Sequence, residues 1–220
     1  MLDRPQGRAV RAVTRPRRMR GFTLIEAVVV VAIMGIMLAV GLPSMSDWLL
    51  GRKALAAAVF YQDGFALARN TAIAHNSHSR LVLTENAANG KMDWRVDICF
   101  PTSGVPCNGD AGTWSSATAD ADGDPDPDQV FRSIGRSAEA MPGARDLSLA
   151  VSPSGATEVY FTPLGWVDTT VAPRLARIDL APSLTRAHAF APLAVVLTLA
   201  GIAAVCDPAA AAHDVRGCPP

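Results

Sequence analysis

The 220-residue chain has no Gly-x-x-x-x-Gly-Lys loop, no nucleophile elbow and no His-Glu-x-x-His helix. The short signatures of nucleotide cradling, serine hydrolysis and zinc proteolysis are therefore missing. Ser, Asp and its four histidines do occur, but no triad follows from their spacing. None of the four cysteines has zinc-ligand spacing. A catalytic role is not expected, nor is a cofactor. Formal net charge is also lacking, but the zero hides an asymmetry: residues 1–20 carry seven of the twenty basic residues and one acid. The remainder holds thirteen bases against nineteen acids, a net of −6, which argues against a general nucleic-acid-binding surface. At ~100–200 residues per domain, the length allows one medium domain, or a small one with an anchor, and excludes a large multidomain enzyme. Half the residues are apolar, so a core can form, while 16 prolines and 17 glycines punctuate the chain with turns.

What is present begins at the front. Behind Arg4, Arg8, Arg11, Arg15, Arg17, Arg18 and Arg20 comes Gly21, then twenty-one residues from Phe22 to Leu42 with one charge, Glu26. About 20 apolar residues span a bilayer as a helix. The arginines hold their side in the cytoplasm, giving an N-in, C-out orientation across the inner membrane. The apolar run exceeds a secretory h-region and ends in Gly-Leu-Pro rather than an Ala-x-Ala-like site, so a cleaved secretory signal is not expected. Glu26 is the anomaly. An ionised carboxylate inside a spanning segment costs about 3 kcal/mol unless something pairs with it.

The run Arg20-Gly21-Phe22-Thr23-Leu24-Ile25-Glu26 resembles the type III signal of type IV pilins and type II secretion pseudopilins. The resemblance implies that a prepilin peptidase cuts between Gly21 and Phe22 and methylates the new Phe22 amine. It also implies that Glu26 meets the amino terminus of a neighbouring subunit during assembly. Met19-Arg20-Gly21 would itself make a short leader, so Met1 and Met19 both stand as starts. The implied partners are other pilins or pseudopilins, the peptidase and the inner membrane, with the head in the periplasm.

Pro43 is expected to kink or interrupt the helix, since it lacks an N–H and clashes with the preceding turn. Beyond it Met45, Trp48, Leu49, Leu55, Val59, Phe60, Ala66, Leu67 and Ile73 recur at three- and four-residue intervals, predicting an amphipathic helix to about His75 with these residues on its apolar face. Residues 68–76 and the strand-like 79–84 resemble the helix end and first strand of the GspH/FimT subgroup of minor pilins and pseudopilins. The implied organisation is a leader over 1–21, a membrane-spanning, filament-core half-helix over 22–42, an amphipathic half over 43–76 and a β-rich head over 77–220. His75 and His78, with no third ligand, are read as helix-end and loop residues.

In the head, short apolar runs predict strands at 80–84, 92–99, 129–134, 146–151, 156–161, 175–180, 193–199 and 202–206. With one long helix the class is α+β, pilin-like, a helix packed on a small antiparallel sheet. In an oxidising periplasm Cys99 with Cys107 and Cys206 with Cys218 are the local choice among three pairings. The second would resemble the C-terminal disulfide loop of many pilins. Asp120, Asp122, Asp124, Asp126 and Asp128 form a Ca²⁺ candidate, but counting from Asp120 puts Pro125 where an EF-hand needs Gly and Phe131 where it needs Glu. A solvated acidic loop is the expected reading. The apolar stretch Phe190–Cys206 is read as a buried hairpin about Ala200-Gly201 rather than a second span, because Pro192 and Gly201 interrupt it. DNA-binding FimT-like pilins carry Gly-Arg-x-Arg at this place, where this chain has Gly201-Ile202-Ala203-Ala204. Arg174, Arg177, Arg186 and Arg216 are scattered substitutes, and DNA is not an expected partner. The competing readings are a competence pilin that captures DNA and a membrane-anchored periplasmic enzyme.

Overall fold

The structure is a computed structural model that describes residues 21–124, 130–211 and 213–219, with the side chains of 40 and 42–44 outside the description. It falls into two units, Met1–Pro43 and Ser44–Pro220. The fold is α+β, an N-terminal helix packed on antiparallel sheets. Helix α1 runs over Leu24–Ala74 and is not interrupted at Pro43. Among the described residues no helix is long and apolar enough to cross a membrane. The side chains of Val40 and Leu42, part of the apolar run read from the sequence, lie outside them.

Eight strands follow: β1 (His78–Glu85), β2 (Met92–Cys99), β3 (Ile134–Arg136), β4 (Leu147–Ser152), β5 (Glu158–Phe161), β6 (Arg177–Pro182), β7 (Leu193–Leu197) and β8 (Ala203–Cys206). They form two four-stranded sheets, ordered β3-β2-β1-β5 and β4-β6-β7-β8, rather than the single sheet expected. The strand predicted over 129–134 does not form where it is described. Residues 130–133 are irregular, and Phe131 turns into a small apolar cluster with Ile98, Phe100 and Ala121 instead of pairing.

The helix face is a second correction. The residues buried are Leu50, Ala54, Ala57, Ala58, Tyr61, Phe65, Ala68 and Ala72, spaced three and four apart, whereas Met45, Trp48, Leu49, Leu55, Val59 and Ile73 are exposed. Alanines let a helix backbone approach a sheet closely between the buried Tyr61 and Phe65 rings, and of the expected apolar face Phe60 and Leu67 are partly buried and pack against the core. Gly64 shows how close the approach is: a Cβ there would meet Leu81 Cδ1 and Trp94 Cδ2, each at 3.1 Å. Onto this stripe pack Leu81, Leu83, Trp94, Val96 and Phe161 of one sheet and Leu147, Ile178, Leu180, Val195 and Leu197 of the other. The period-2 alternation of β1, with Ser79, Leu81 and Leu83 buried, aims one face at the helix. Polar side chains reinforce the contact: the Trp94 indole N–H donates to Phe60 O at 3.0 Å and the Ser79 hydroxyl to Ala68 O at 2.6 Å.

The helix stops by a Schellman cap. Asn76 takes the left-handed conformation at φ 48°. Its N–H then donates to Ile73 O at 3.2 Å, and that of Ser77 to Ala72 O at 3.1 Å. The β7–β8 hairpin forms, but its turn is the longer Thr198–Ile202, and only β7 is deeply buried, because β8 is the sheet's edge.

Candidate functional site

Gly21, Phe22 and Thr23 precede the first helical turn and have no regular structure. Phe22 is 86 % exposed, and among the described residues a Cβ built on Gly21 would meet nothing within 4 Å. The bond between them precedes the helix and is not held in helical hydrogen bonds. Thr23 stands at the helix N-cap. Its hydroxyl accepts from Glu26 N–H at 3.3 Å and its carbonyl from Ala27 N–H at 3.2 Å. Thr-x-x-Glu is capping-box spacing, a signal in the sequence that the motif reading passes over. Glu26 therefore lies in the first turn, where the helix dipole favours negative charge. Its neighbours are also uncovered, every described side chain from Gly21 to Ala39 being exposed. An amine freed at Phe22 would begin two residues ahead of the first helical residue, on the end of the helix that carries Glu26.

A prokaryotic N-terminal methylation motif occupies residues 16–42. The chain therefore carries a type IV pilin-like signal, and Gly21, Phe22 and Glu26 fall within it. Residues 16–20 of the match lie outside the described residues. No curated protein and no solved structure matches the chain.

The other sequence-predicted residues are distributed over the head. Cys99 is joined to Cys107 and Cys206 to Cys218, with Cα separations of 6.1 and 4.9 Å. The first bridge closes the loop leaving β2. The second returns the tail to β8, where Asp207 N–H donates to Arg216 O at 2.7 Å. Of the acidic loop, Asp126 and Asp128 lie outside the described residues, and Asp120 pairs with Arg132 at 3.3 Å. Among the described residues no group of three or more His, Cys, Asp or Glu could hold a metal. His75 packs edge-on against Phe100 and Phe131, apart from any ligand cluster. Three of the four scattered arginines are tied to acids: Arg177 to Asp179, Arg186 to Asp47 and Arg216 to Asp214. The Arg216 hydrogen bonds hold the Asp214 carboxyl down at about 2.

Sequence reasoning missed the polar network on the sheet face turned away from the helix. The Asp97 side chain, fully buried, accepts from Arg80 Nε at 2.8 Å, Arg95 Nε at 2.7 Å and the Ser133 hydroxyl at 2.6 Å. The cross-strand register places Arg80 between Asp97 on β2 and Tyr160 on β5. Trp114, paired to Cys99 by an antiparallel bridge, covers Arg80 at 4.6 Å and meets Tyr160 edge-on. The Tyr160 hydroxyl donates to the Glu158 carboxylate. Burial first, then that carboxylate, pushes the phenol up to about 12. Only alternation along β1 and β2 could have hinted that residues 80 and 97 share a face; what covers that face is set by the loop.

Proposed function

We propose that the protein is a minor pilin or pseudopilin of the GspH/FimT type. It waits in the inner membrane with residues 22–42 spanning and the head in the periplasm, loses its leader between Gly21 and Phe22, and is methylated on the Phe22 amine. It then joins or primes a filament of a type II secretion system or type IV pilus. The observation that carries this reading is the methylation motif over residues 16–42. The capped helix start, which leaves the Gly21–Phe22 bond ahead of the helix and holds Glu26 in the first turn, supports it.

The chemistry is electrostatic and apolar. Cleavage creates an ammonium where a peptide bond stood, and that charge meets Glu26 of a neighbouring copy. Both ions are then neutralised in a medium where each alone would cost several kcal/mol. The exposed apolar side chains from Phe22 to Leu38 supply the contact area between subunits. The role is architectural rather than catalytic. DNA capture is disfavoured, since the Gly201 turn bears Ile202 where phosphate contacts would require arginine. Mass spectrometry of the mature chain tests the reading: it should begin at N-methyl-Phe22, and any other start overturns it. Glu26→Ala should leave membrane insertion intact while abolishing recovery with sheared filaments; normal recovery would count against the Glu26 role.

A further inference from the structure

Charge is unevenly spread over the Ser44–Pro220 unit. Residues 45–53 of α1, which open it, are joined by segments 145–146 and 184–190. Arg186 Nη2 donates to Asp47 Oδ1 at 2.7 Å and to Ser46 Oγ at 3.3 Å. The Thr185 hydroxyl donates to Arg145 O at 2.9 Å, and a Cβ on Gly51 would stand 3.3 Å from that of Phe190. The surface so formed carries Arg52, Lys53, Arg145 and Arg186 against Asp47 and Asp146, four bases to two acids. The rest of the unit holds nine bases against sixteen acids. Both acids of the surface lie against Arg186, at 2.7 and 3.7 Å. Arg52, Lys53 and Arg145 are exposed and in no ion pair among the described residues.

Bare apolar side chains stand among these cations. Leu184 is 98 % exposed and Trp48 60 %, and Met45 and Leu49 are exposed as well. The Arg52 guanidinium lies over the Trp48 ring at 5.3 Å. A cleft of ≈ 180 Å³ has Ser46, Leu49, Lys53 and Arg186 in its walls, with Asp146 as its one carboxylate. A groove of ≈ 410 Å³ is walled by Trp48, Arg52, Leu55 and Phe190, with Asp47 as its one carboxylate. Trp48 is six residues beyond Leu42, where the apolar run of the sequence ends. No chain conformation can carry it more than about 20 Å from that end.

We infer that this surface rests on anionic phospholipid headgroups while the chain awaits assembly, an inference that builds on the reading of residues 22–42 as spanning. Arg52, Lys53 and Arg145 meet lipid phosphates, their methylene stems lying along the acyl boundary. Trp48 and Leu184 enter the interfacial layer, where an indole finds an apolar medium for its ring and a polar one for its N–H. The same lipids repel the acidic remainder of the unit, so the field turns this surface toward the membrane. A bilayer suits it better than a protein partner at this stage, because negative charge and an apolar boundary both stand within reach of an anchored chain.

The test reconstitutes the full chain in vesicles of phosphatidylcholine with and without phosphatidylglycerol. The described cysteines are all bridged, so Leu184→Cys supplies one thiol for an environment-sensitive fluorophore. Leu164→Cys is the control: it is also exposed, on the turn packed against Ile73, and Ile73 lies roughly 37 Å along α1 from Trp48. A headgroup-attached nitroxide lipid should quench the probe at 184 in phosphatidylglycerol vesicles and leave the probe at 164 bright. Arg52→Gln with Lys53→Gln and Arg145→Gln, all at exposed positions, should reduce the quenching, as should 0.5 M salt, where the screening length is about 4 Å. Equal quenching at both sites, none at 184, or quenching unchanged in the triple variant would overturn the assignment. Probe emission that tracks protein density rather than lipid composition would give the surface to a second copy and overturn it too. Alkaline carbonate separates the two readings: a chain that stays in the membrane yet is not quenched at 184 sinks this inference alone, whereas one that washes off takes the spanning reading with it.

Discussion

At the scale of single residues, Asp97 ties β1, β2 and Ser133 together in the head. It is fully buried with two arginines, one of them, Arg95, 43 % exposed at the side chain. Removing the carboxylate leaves the partly buried Arg80 without its counter-ion. Breaking a buried pair costs about 3–5 kcal/mol, and the exposure of Arg95 places Asp97→Ala near the lower end. Arg95→Ala, a half-exposed partner, should cost about 1 kcal/mol or less. Urea unfolding of the two variants checks the ranking, and equal losses would refute it. The chain has two tyrosines, Tyr61 and Tyr160. Burial raises both hydroxyls, Tyr160 to about 12. A raised folded pKa means the associated stability is complete below pH ~10, the unfolded value, and is lost as pH climbs through the folded one. Absorbance at 295 nm should therefore show little tyrosinate at pH 11 in the native protein and nearly full ionisation at that pH in urea.

At the scale of elements, helix α1 buries Tyr61 and Phe65 among a row of alanines, while several bulky aliphatic residues face away from the core. Ala58 is fully buried, and Val59, its bulkier neighbour, is 42 % exposed. Ala58→Leu should destabilise by about 1–3 kcal/mol through overpacking, whereas Val59→Ser should change monomer stability by no more than about 0.5 kcal/mol. Thermal melts of the two variants distinguish this face from the one read from the sequence, which would give the opposite order. The same geometry explains why the periodicity misled. Trp48, Leu49, Leu55 and Val59 do recur at helical spacing, but so do Leu50, Ala54, Ala57, Ala58 and Tyr61, and hydrophobicity alone ranks the first set higher. Close approach to the two sheets selects the second. In the filament reading, the exposed stripe is the surface left for contacts with other subunits.

At the scale of the whole molecule, the two disulfides close short loops at the ends of β2 and β8, with sequence separations of 8 and 12. Loops of this length contribute roughly 3 kcal/mol each by the chain-entropy account. Cys206→Ser with Cys218→Ser should lower the unfolding free energy by about that amount and leave the β7–β8 hairpin formed, because its register is carried by backbone pairs and the burial of Ala194, Val195 and Leu197. Cys99→Ser with Cys107→Ser should do more. That bridge sits at Cys99, whose backbone pairs with Trp114 and so holds the indole over Arg80. Hydrogen exchange of β1 and β2 amides checks the difference: it should rise in the second variant and stay near wild type in the first.

The methylation motif was legible from residues alone, because Gly21, Phe22 and Glu26 stand on contiguous chain at a helix start, and local spacing is what a sequence displays. The α+β class and seven of the eight strands were legible for the same reason, since alternation and turn residues are local. The division into two sheets, the choice of the helix face and the burial of Asp97 were decided by tertiary structure. Each depends on which separate segments come to lie against each other, and such pairings leave no periodic trace in the chain that makes them.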